Sequence, residues 1–268
     1  MTLSTDLGSA YAAQMKAVLA HHLLPGRIVD LTHDLHPHGV EEAAFVVRAM
    51  AERFPAGSVH VVVVDPGVGG RRHPVAVACK DGSVLVGPDN GVLIPLAEAL
   101  GGGRAYLIDP TRLGASARIG TTFDGRDIFA PAAARLARGV SPGDLGRPTT
   151  LVRPRAIPAR RREGGGEGSI AHIDRFGNLV TDVPTAWVPT GVATVGVRLG
   201  RTRRQLPFVT SYEAGGRGRL VLLGSSFGSL ELAVVEGRAV DRLGAGVGAP
   251  VRFLWRIPPP RPGRRNRK

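Results

Sequence analysis

The sequence predicts an α/β protein: an N-terminal layered α/β domain with a mostly parallel sheet, followed by a smaller C-terminal antiparallel β-barrel domain. Three observations predict it. Over residues 1–150, strand-like apolar runs alternate with segments of helical period. Residues 59–64 are an almost pure valine run, the pattern of a strand covered on both faces. Beyond residue 169 the chain changes to short strands separated by turns, with no long helical period.

Taken in order, residues 3–7 form a short strand ending at Gly8. Residues 11–24 carry Met15, Val18 and Leu19 at helical spacing and stop at Pro25-Gly26. A second strand covers 27–31, and a helix covers 40–54 with Val40, Ala43, Ala44 and Val47 inward, closed by Pro55. After the valine strand, residues 75–79 and 83–86 pair through the Asp81-Gly82 turn. Residues 92–99 and 129–138 read as helices. Residues 151–168 are Arg-, Pro- and Gly-rich, include Gly164-Gly165-Gly166, and read as a linker. The barrel domain, 169–257, has strands at 169–173, 178–183, 193–199, 220–223, 230–235 and 250–255. Residues 258–268 read as a disordered basic tail.

With 43% hydrophobic and 21% charged residues among 268, the composition is that of a globular chain. No run approaches the ~18 apolar residues of a membrane span. Asp6 lies in the first strand-like segment with no basic region before it, which argues against a secretory signal and for a cytoplasmic protein. The single cysteine, Cys79, has no partner for an internal disulfide or thiolate metal site and reads as a buried strand thiol. The net charge of +13 is concentrated: residues 151–162 hold five arginines and residues 256–268 six basic residues, neither stretch with an acid. On that distribution the excess belongs to a linker and a tail rather than to a folded basic face, which argues against a nucleic-acid role. With only three lysines in the chain, Arg-biased coding explains the excess equally well.

Five segments contain the residues for chemistry. The valine strand runs into Asp65-Pro66-Gly67-Val68-Gly69-Gly70-Arg71-Arg72, at the carboxyl end of a strand where α/β sheets bind ligands. It is neither a Walker loop nor a dinucleotide fingerprint. Thr121-Thr122-Phe123-Asp124-Gly125-Arg126-Asp127 precedes a helix, which Asp127 could simply cap. Ser4-Thr5-Asp6-Leu7-Gly8 holds another strand-end acid, suited to a ribose diol or to a helix cap. In Asp174-Arg175-Phe176-Gly177-Asn178, Phe176 could stack on a purine while Asn178 reads its edge, or the segment is a tight turn with a core aromatic. The small-residue turn 224–233 fits close backbone approach to a ligand. His33, Asp34, His36 and His38 use zinc-ligand residue types, but their alternation around Pro37 suits an irregular loop, and no metal is expected.

Taken together, these segments resemble the S-adenosylmethionine hydroxide adenosyltransferase family, relatives of the bacterial fluorinase and chlorinase. The resemblance rests on Thr5-Asp6-Leu7-Gly8, Val63-Val64-Asp65-Pro66-Gly67-Val68-Gly69, Gly87-Pro88-Asp89-Asn90-Gly91, residues 123–131, Phe176-Gly177-Asn178 and residues 226–233. It implies a homotrimer with sites between neighbouring subunits, S-adenosyl-L-methionine as substrate and no cofactor. It also implies an Asp-Arg-His set for water activation, in which Asp65 and Arg72 fall on the first two positions. Asp6 falls on the ribose-binding acid, Phe176 and Asn178 on adenine contacts, and Ser226 near the methionine carboxylate. Tyr212 falls on an aromatic covering the adenine, and Glu231 on a further substrate-binding position.

Two departures separate this chain from that pattern. The family hydrolases resemble Phe-His-Gly-Arg-Asp where this chain has Asp124 in the histidine position. The loop after Gly8 is two residues shorter before Tyr11 and lacks the acid that would help hold the substrate ammonium. The expected activity is hydrolysis to adenosine and L-methionine by water or hydroxide attack at the ribose 5′ carbon, with Asp65, Arg72 and Asp124 around the nucleophile. Asp124 keeps a second expectation open, a non-catalytic binder of S-adenosylmethionine or adenosine. A carboxylate at Asp65 disfavours an anionic halide nucleophile.

Overall fold

The computed structural model describes residues 1–21, 28–114, 120–153 and 158–255, and divides into two compact units, Met1–Ala156 and Ile157–Lys268. The tail expected at 258–268 lies outside the described residues.

Unit 1 is built on a seven-stranded sheet in the order β2-β1-β3-β5-β4-β6-β7. Its strands are β1 (Thr2–Thr5), β2 (Val29–Thr32), β3 (Val59–Val63), β4 (Pro74–Cys79), β5 (Val84–Pro88), β6 (Gly103–Leu107) and β7 (Pro148–Thr149). The run β2-β1-β3-β5 is parallel, while β4, β6 and β7 add antiparallel strands beside it. The helices are α1 (Gly8–Ala20), α2 (Val40–Ala51), α3 (Ile94–Ala99), α4 (Ala130–Ala137) and α5 (Pro142–Leu145). Val59, Val61 and Val63 point to one face of β3, where Met15 and Leu19 of α1 and Leu136 of α4 join them in one buried cluster with Leu3 and Phe129. On the opposite face His60 meets Phe54, just beyond α2, with ring centroids 6.2 Å apart. Burial on both faces explains why β3 is apolar at nearly every position.

The named strands of unit 2 pair antiparallel, in the order β12-β11-β15-β9-β10-β14-β13, with β8 paired to β9. Its strands are β8 (Arg160–Arg162), β9 (Gly165–Ile173), β10 (Leu179–Pro184), β11 (Thr194–Leu199), β12 (Thr202–Pro207), β13 (Leu220–Gly224), β14 (Ser229–Val234) and β15 (Pro250–Trp255). Two short helices, α6 (Tyr212–Gly215) and α7 (Ala239–Leu243), interrupt them. The two ends of the order meet where the Val209 N–H donates to the Leu222 carbonyl at 2.9 Å, so the sheet nearly closes into a barrel. Ile170, Leu179, Val195, Leu222, Leu232 and Phe253 fill its interior.

The structure corrects the expected linker at 151–168. Arg160–Arg162 form β8, and β9 begins at Gly165. The glycines there serve close packing: a Cβ on Gly165 would lie 2.3 Å from the Phe253 carbonyl oxygen, and one on Gly168 2.0 Å from Asp182 Oδ1. Charge expected in a linker is therefore partly on an ordered strand. Two strands without apolar alternation, β6 and β12, also join their sheets.

Candidate functional site

In unit 1 the functional groups collect where β1 and β3 end. The parallel pairing of Thr5 with Val63 brings the two strand exits side by side, and the Asp6 N–H donates to the Val63 carbonyl at 3.4 Å. The Asn90 side-chain amide donates to the Val64 carbonyl at 2.9 Å and fixes the exit of β3 immediately before Asp65. From there the glycine-rich loop turns back on itself. Gly69 has φ +72°, and a Cβ on it would lie 2.6 Å from the Thr121 carbonyl oxygen, so glycine lets the two loops touch.

That contact brings together three residues distant in sequence. Arg72 Nε donates to both oxygens of Asp65 at 2.9 Å, its Nη2 donates to Asp65 Oδ2, and the same Nη2 donates to Asp124 Oδ2 at 2.5 Å. The side chains of Arg72, Asp65 and Asp124 are 10%, 6% and 3% exposed. Phe129 lies beneath the guanidinium, 5.5 Å from ring centroid to Cζ. Burial by itself opposes the cation, but the hydrogen bonds and charges of Asp65 and Asp124 outweigh it and raise Arg72 above its ordinary value. Two carboxylates around one guanidinium leave this cluster with a net negative charge. Asp124 sits immediately before a π-helical turn, Gly125–Phe129, that leads into α4.

Asp6 follows β1, whose pairing with β3 places its strand exit beside that of Asp65. Its Oδ2 accepts the His38 N–H at 2.9 Å, while Oδ1 is buried with no hydrogen-bond partner. His38 adopts φ +65° to present that N–H. The histidines of its loop are engaged with protein groups: His33 with Thr5 Oγ1 at 3.1 Å and His36 with Glu42 at 2.6 Å. Among the described residues no group of three or more His, Cys, Asp or Glu is placed to hold a metal. The stretch after Gly8 that reads as a loop is the first turn of α1, and Tyr11 within it packs edge-on to Phe123 at 5.1 Å.

Unit 2 brings Asn178, Tyr212 and Glu231 into one network. Tyr212 Oη donates to Glu231 Oε1 at 2.6 Å and accepts from Asn178 Nδ2 at 3.5 Å. Asp174, which sequence reasoning gave no role, holds the turn. Its Oδ1 accepts the N–H groups of Phe176 and Asn178 at 2.9 Å, and its Oδ2 accepts Asn178 Nδ2 at 2.9 Å. An acid two residues before an aromatic in a turn was the available signal. Burial raises the Glu231 carboxyl above its usual range against the Tyr212 hydrogen bond, and the Asp174 charge adds to it. Burial, and then the bond to Glu231, also raises the Tyr212 hydroxyl. Phe176 is no core aromatic: it is 76% exposed. Ser226 is exposed on the turn between β13 and β14.

Residues 1–146 match the family model described as the SAM hydroxide adenosyltransferase N-terminal domain, and residues 168–252 match that of its C-terminal domain. The chain is 38% identical to an (R)-S-adenosyl-L-methionine hydrolase of Salinispora tropica, over 92% of this chain and 95% of that protein. It is 40% identical to one of Thermus thermophilus, over 92% and 96%. A fluorinase of an Actinoplanes species is 30% identical over 85% of this chain and 88% of its own length. Among solved structures, an uncharacterized conserved protein from Thermotoga maritima superposes with a TM-score of 0.87 at 30% identity, covering 94% of this chain and 99% of that one.

Proposed function

The chain belongs to the SAM hydroxide adenosyltransferase family, and we propose that it hydrolyses S-adenosyl-L-methionine to adenosine and L-methionine. The single observation that carries the mechanism is the buried Asp65–Arg72–Asp124 cluster at the exit of β3. Water attacks the ribose 5′ carbon in line with the carbon–sulfur bond. The C–O bond forms as the C–S bond breaks, and the electron pair leaves on sulfur as a neutral thioether, so no general acid is needed. The site must instead align a water molecule and take its proton.

Asp65 Oδ1 accepts one N–H from Arg72, which leaves it acceptor capacity for that water. Arg72 stabilises the hydroxide character that develops, and Asp124 fixes the guanidinium from the other side. The net negative cluster favours a sulfonium cation and opposes a halide. Two like charges ~4 Å apart cost about 1 kcal/mol in water and several times more in a dry site. The bare Asp6 Oδ1 takes the ribose diol. Phe176 stacks on the adenine, Asn178 reads its edge, Tyr212 and Glu231 hold that edge in place, and Ser226 meets the methionine carboxylate. The hydrolase relatives carry the (R) sulfonium epimer in their names, and the same epimer is assigned here. A homotrimer with sites at subunit interfaces is part of the reading, checked by light scattering in solution. So is a cytoplasmic setting, consistent with the lone buried thiol of Cys79.

Incubation with the separated (R) and (S) epimers, followed by chromatography for adenosine and methionine, tests the reaction. Release of both products from the (R) epimer is expected. One observation favours a second reading, a non-catalytic binder: Asp124 replaces the family histidine and shares Nη2 of Arg72 with Asp65. Binding of the substrate without adenosine release would select that reading. Restoring the histidine with Asp124→His is expected to raise turnover, and an unchanged rate would remove Asp124 from the mechanism.

A further inference from the structure

The outer face of the unit 2 barrel opposes like charges across adjacent strands. In register, Arg203 of β12 faces Arg198 of β11, and Arg198 faces Arg252 of β15. Side chains directly opposite in antiparallel strands share a face, and like charges there are destabilising. Among the described residues no carboxylate pairs with Arg198 or Arg203, and both are exposed. The row ends at β9, where Arg252 faces Glu167. Glu167 is ion-paired to Arg252 at 3.3 Å and to Arg162 of β8 at 3.0 Å. Arg198 and Arg203 are thus left uncompensated, and with Arg252 the row of arginines spans three strands at ~4.8 Å spacing, about 10 Å in all.

The next row on the same face differs in chemistry. Gln205, Gly196 and Leu254 lie side by side, Gly196 facing both of its neighbours. Gly196 contributes no side chain, and the Gln205 amide lies over it, with Nε2 3.2 Å from where a Cβ would stand; the row is therefore low. It opens into a groove of about 390 Å³ bounded by the arginines. Leu254 is 49% exposed beside it.

We propose that this groove binds a nucleoside triphosphate. The three guanidiniums match three consecutive phosphates, the exposed Leu254 side chain offers an apolar surface to a base, and the Gln205 amide beside it reaches the base edge. The Glu167 carboxylate closes the phosphate track, which favours a short anion over a polymer. The sequence argued against a basic face because its charge excess falls on residues 151–162 and 256–268, which read as linker and tail. Pairing register is what gathers Arg198, Arg203 and Arg252. None of these residues belongs to the groups assigned to hydrolysis.

Titration calorimetry of the full chain with ATP, tripolyphosphate, adenosine and a twelve-nucleotide single strand tests the site. ATP is expected to bind about fivefold tighter than tripolyphosphate, with affinity falling as salt rises, while adenosine, a product of the hydrolytic site, reports that site. The double variant Arg198→Gln, Arg203→Gln is expected to weaken ATP at least tenfold while adenosine release stays unchanged. Its melting temperature is expected to hold or rise by roughly 1–2 °C, because like charges have been removed. The proposal is overturned by unchanged ATP affinity in that variant, by a loss of adenosine binding in it equal to the loss of ATP binding, or by tripolyphosphate matching ATP. Tighter binding of the oligonucleotide than of ATP, or a change of oligomeric state in the variant, also overturns it.

Discussion

The two clusters assigned to the substrate are held in opposite ways. In unit 1 the side chains of Asp65, Arg72 and Asp124 are almost wholly withdrawn from solvent and hold one another in place. In unit 2 only Asn178 and Glu231 are buried, while Phe176 and Tyr212 present 76% and 45% of their surface. The difference follows from what each must do. Charges at a reacting centre act strongly only when desolvated and fixed beforehand, so their partners come from the protein. An aromatic platform gains its energy when a ring covers it, so it stays open until then.

The largest expected effect tests the buried cluster. Asp65→Asn keeps the shape but cannot take the proton, and adenosine release is expected to fall about 10³-fold, roughly 4 kcal/mol. Asp124 still faces Arg72, so the melting temperature should change little. A rate within tenfold of the parent protein would remove Asp65 from the chemistry.

Arg72→Met leaves two buried carboxylates facing each other. Urea unfolding is expected to show a loss of about 3 kcal/mol. Adding Asp124→Asn should recover part of that loss, and failure to recover it would mean the two acids are not coupled through Arg72.

The third test sharpens the comparison through pH, because the units carry buried groups of opposite sign. Burial depresses His60 from 6.5 to about 4. Its contribution is therefore complete above pH 6.5 and lost as pH falls toward 4, by up to about 3 kcal/mol. Glu231 is raised, so its contribution is complete below its unfolded value and lost as pH rises through the folded one. Unfolding curves of His60→Gln should converge on the parent curve in acid, and those of Glu231→Gln should gain on it as pH rises. Parallel curves for either variant would contradict the burial argument.

The smallest effects belong to the open cluster. Phe176→Ala is expected to raise KM about tenfold with kcat little changed, since it removes stacking of roughly 1–2 kcal/mol. Tyr212→Phe removes the donor to Glu231 and should cost about 1 kcal/mol of substrate binding. A fall in kcat rather than a rise in KM would place either aromatic in the chemistry instead of in recognition.

Much of the fold was legible because burial leaves a periodic trace. The valine run became β3, the Asp81-Gly82 turn joined β4 to β5, and the alternation of Val251, Phe253 and Trp255 marked β15. The misread segments have physical causes. In β12 the sequence Thr-Arg-Arg-Gln-Leu-Pro buries only Leu206, so it carries almost no alternation. Gly165 and Gly168 were taken for a flexible joint, whereas backbone and carboxylate atoms press against their missing side chains.

What the sequence determined alone was the order of elements, the strand-exit position of Asp65 and the set of polar residues worth watching, because these depend on local pattern. The tertiary structure alone decided which of them meet. Arg72 reaches Asp124 across 52 residues only because Gly69 lets two loops touch, and Arg198 faces Arg203 and Arg252 only through strand register. Local chemistry is written residue by residue, but the charge that a buried or gathered group feels is set by neighbours that the chain brings from elsewhere.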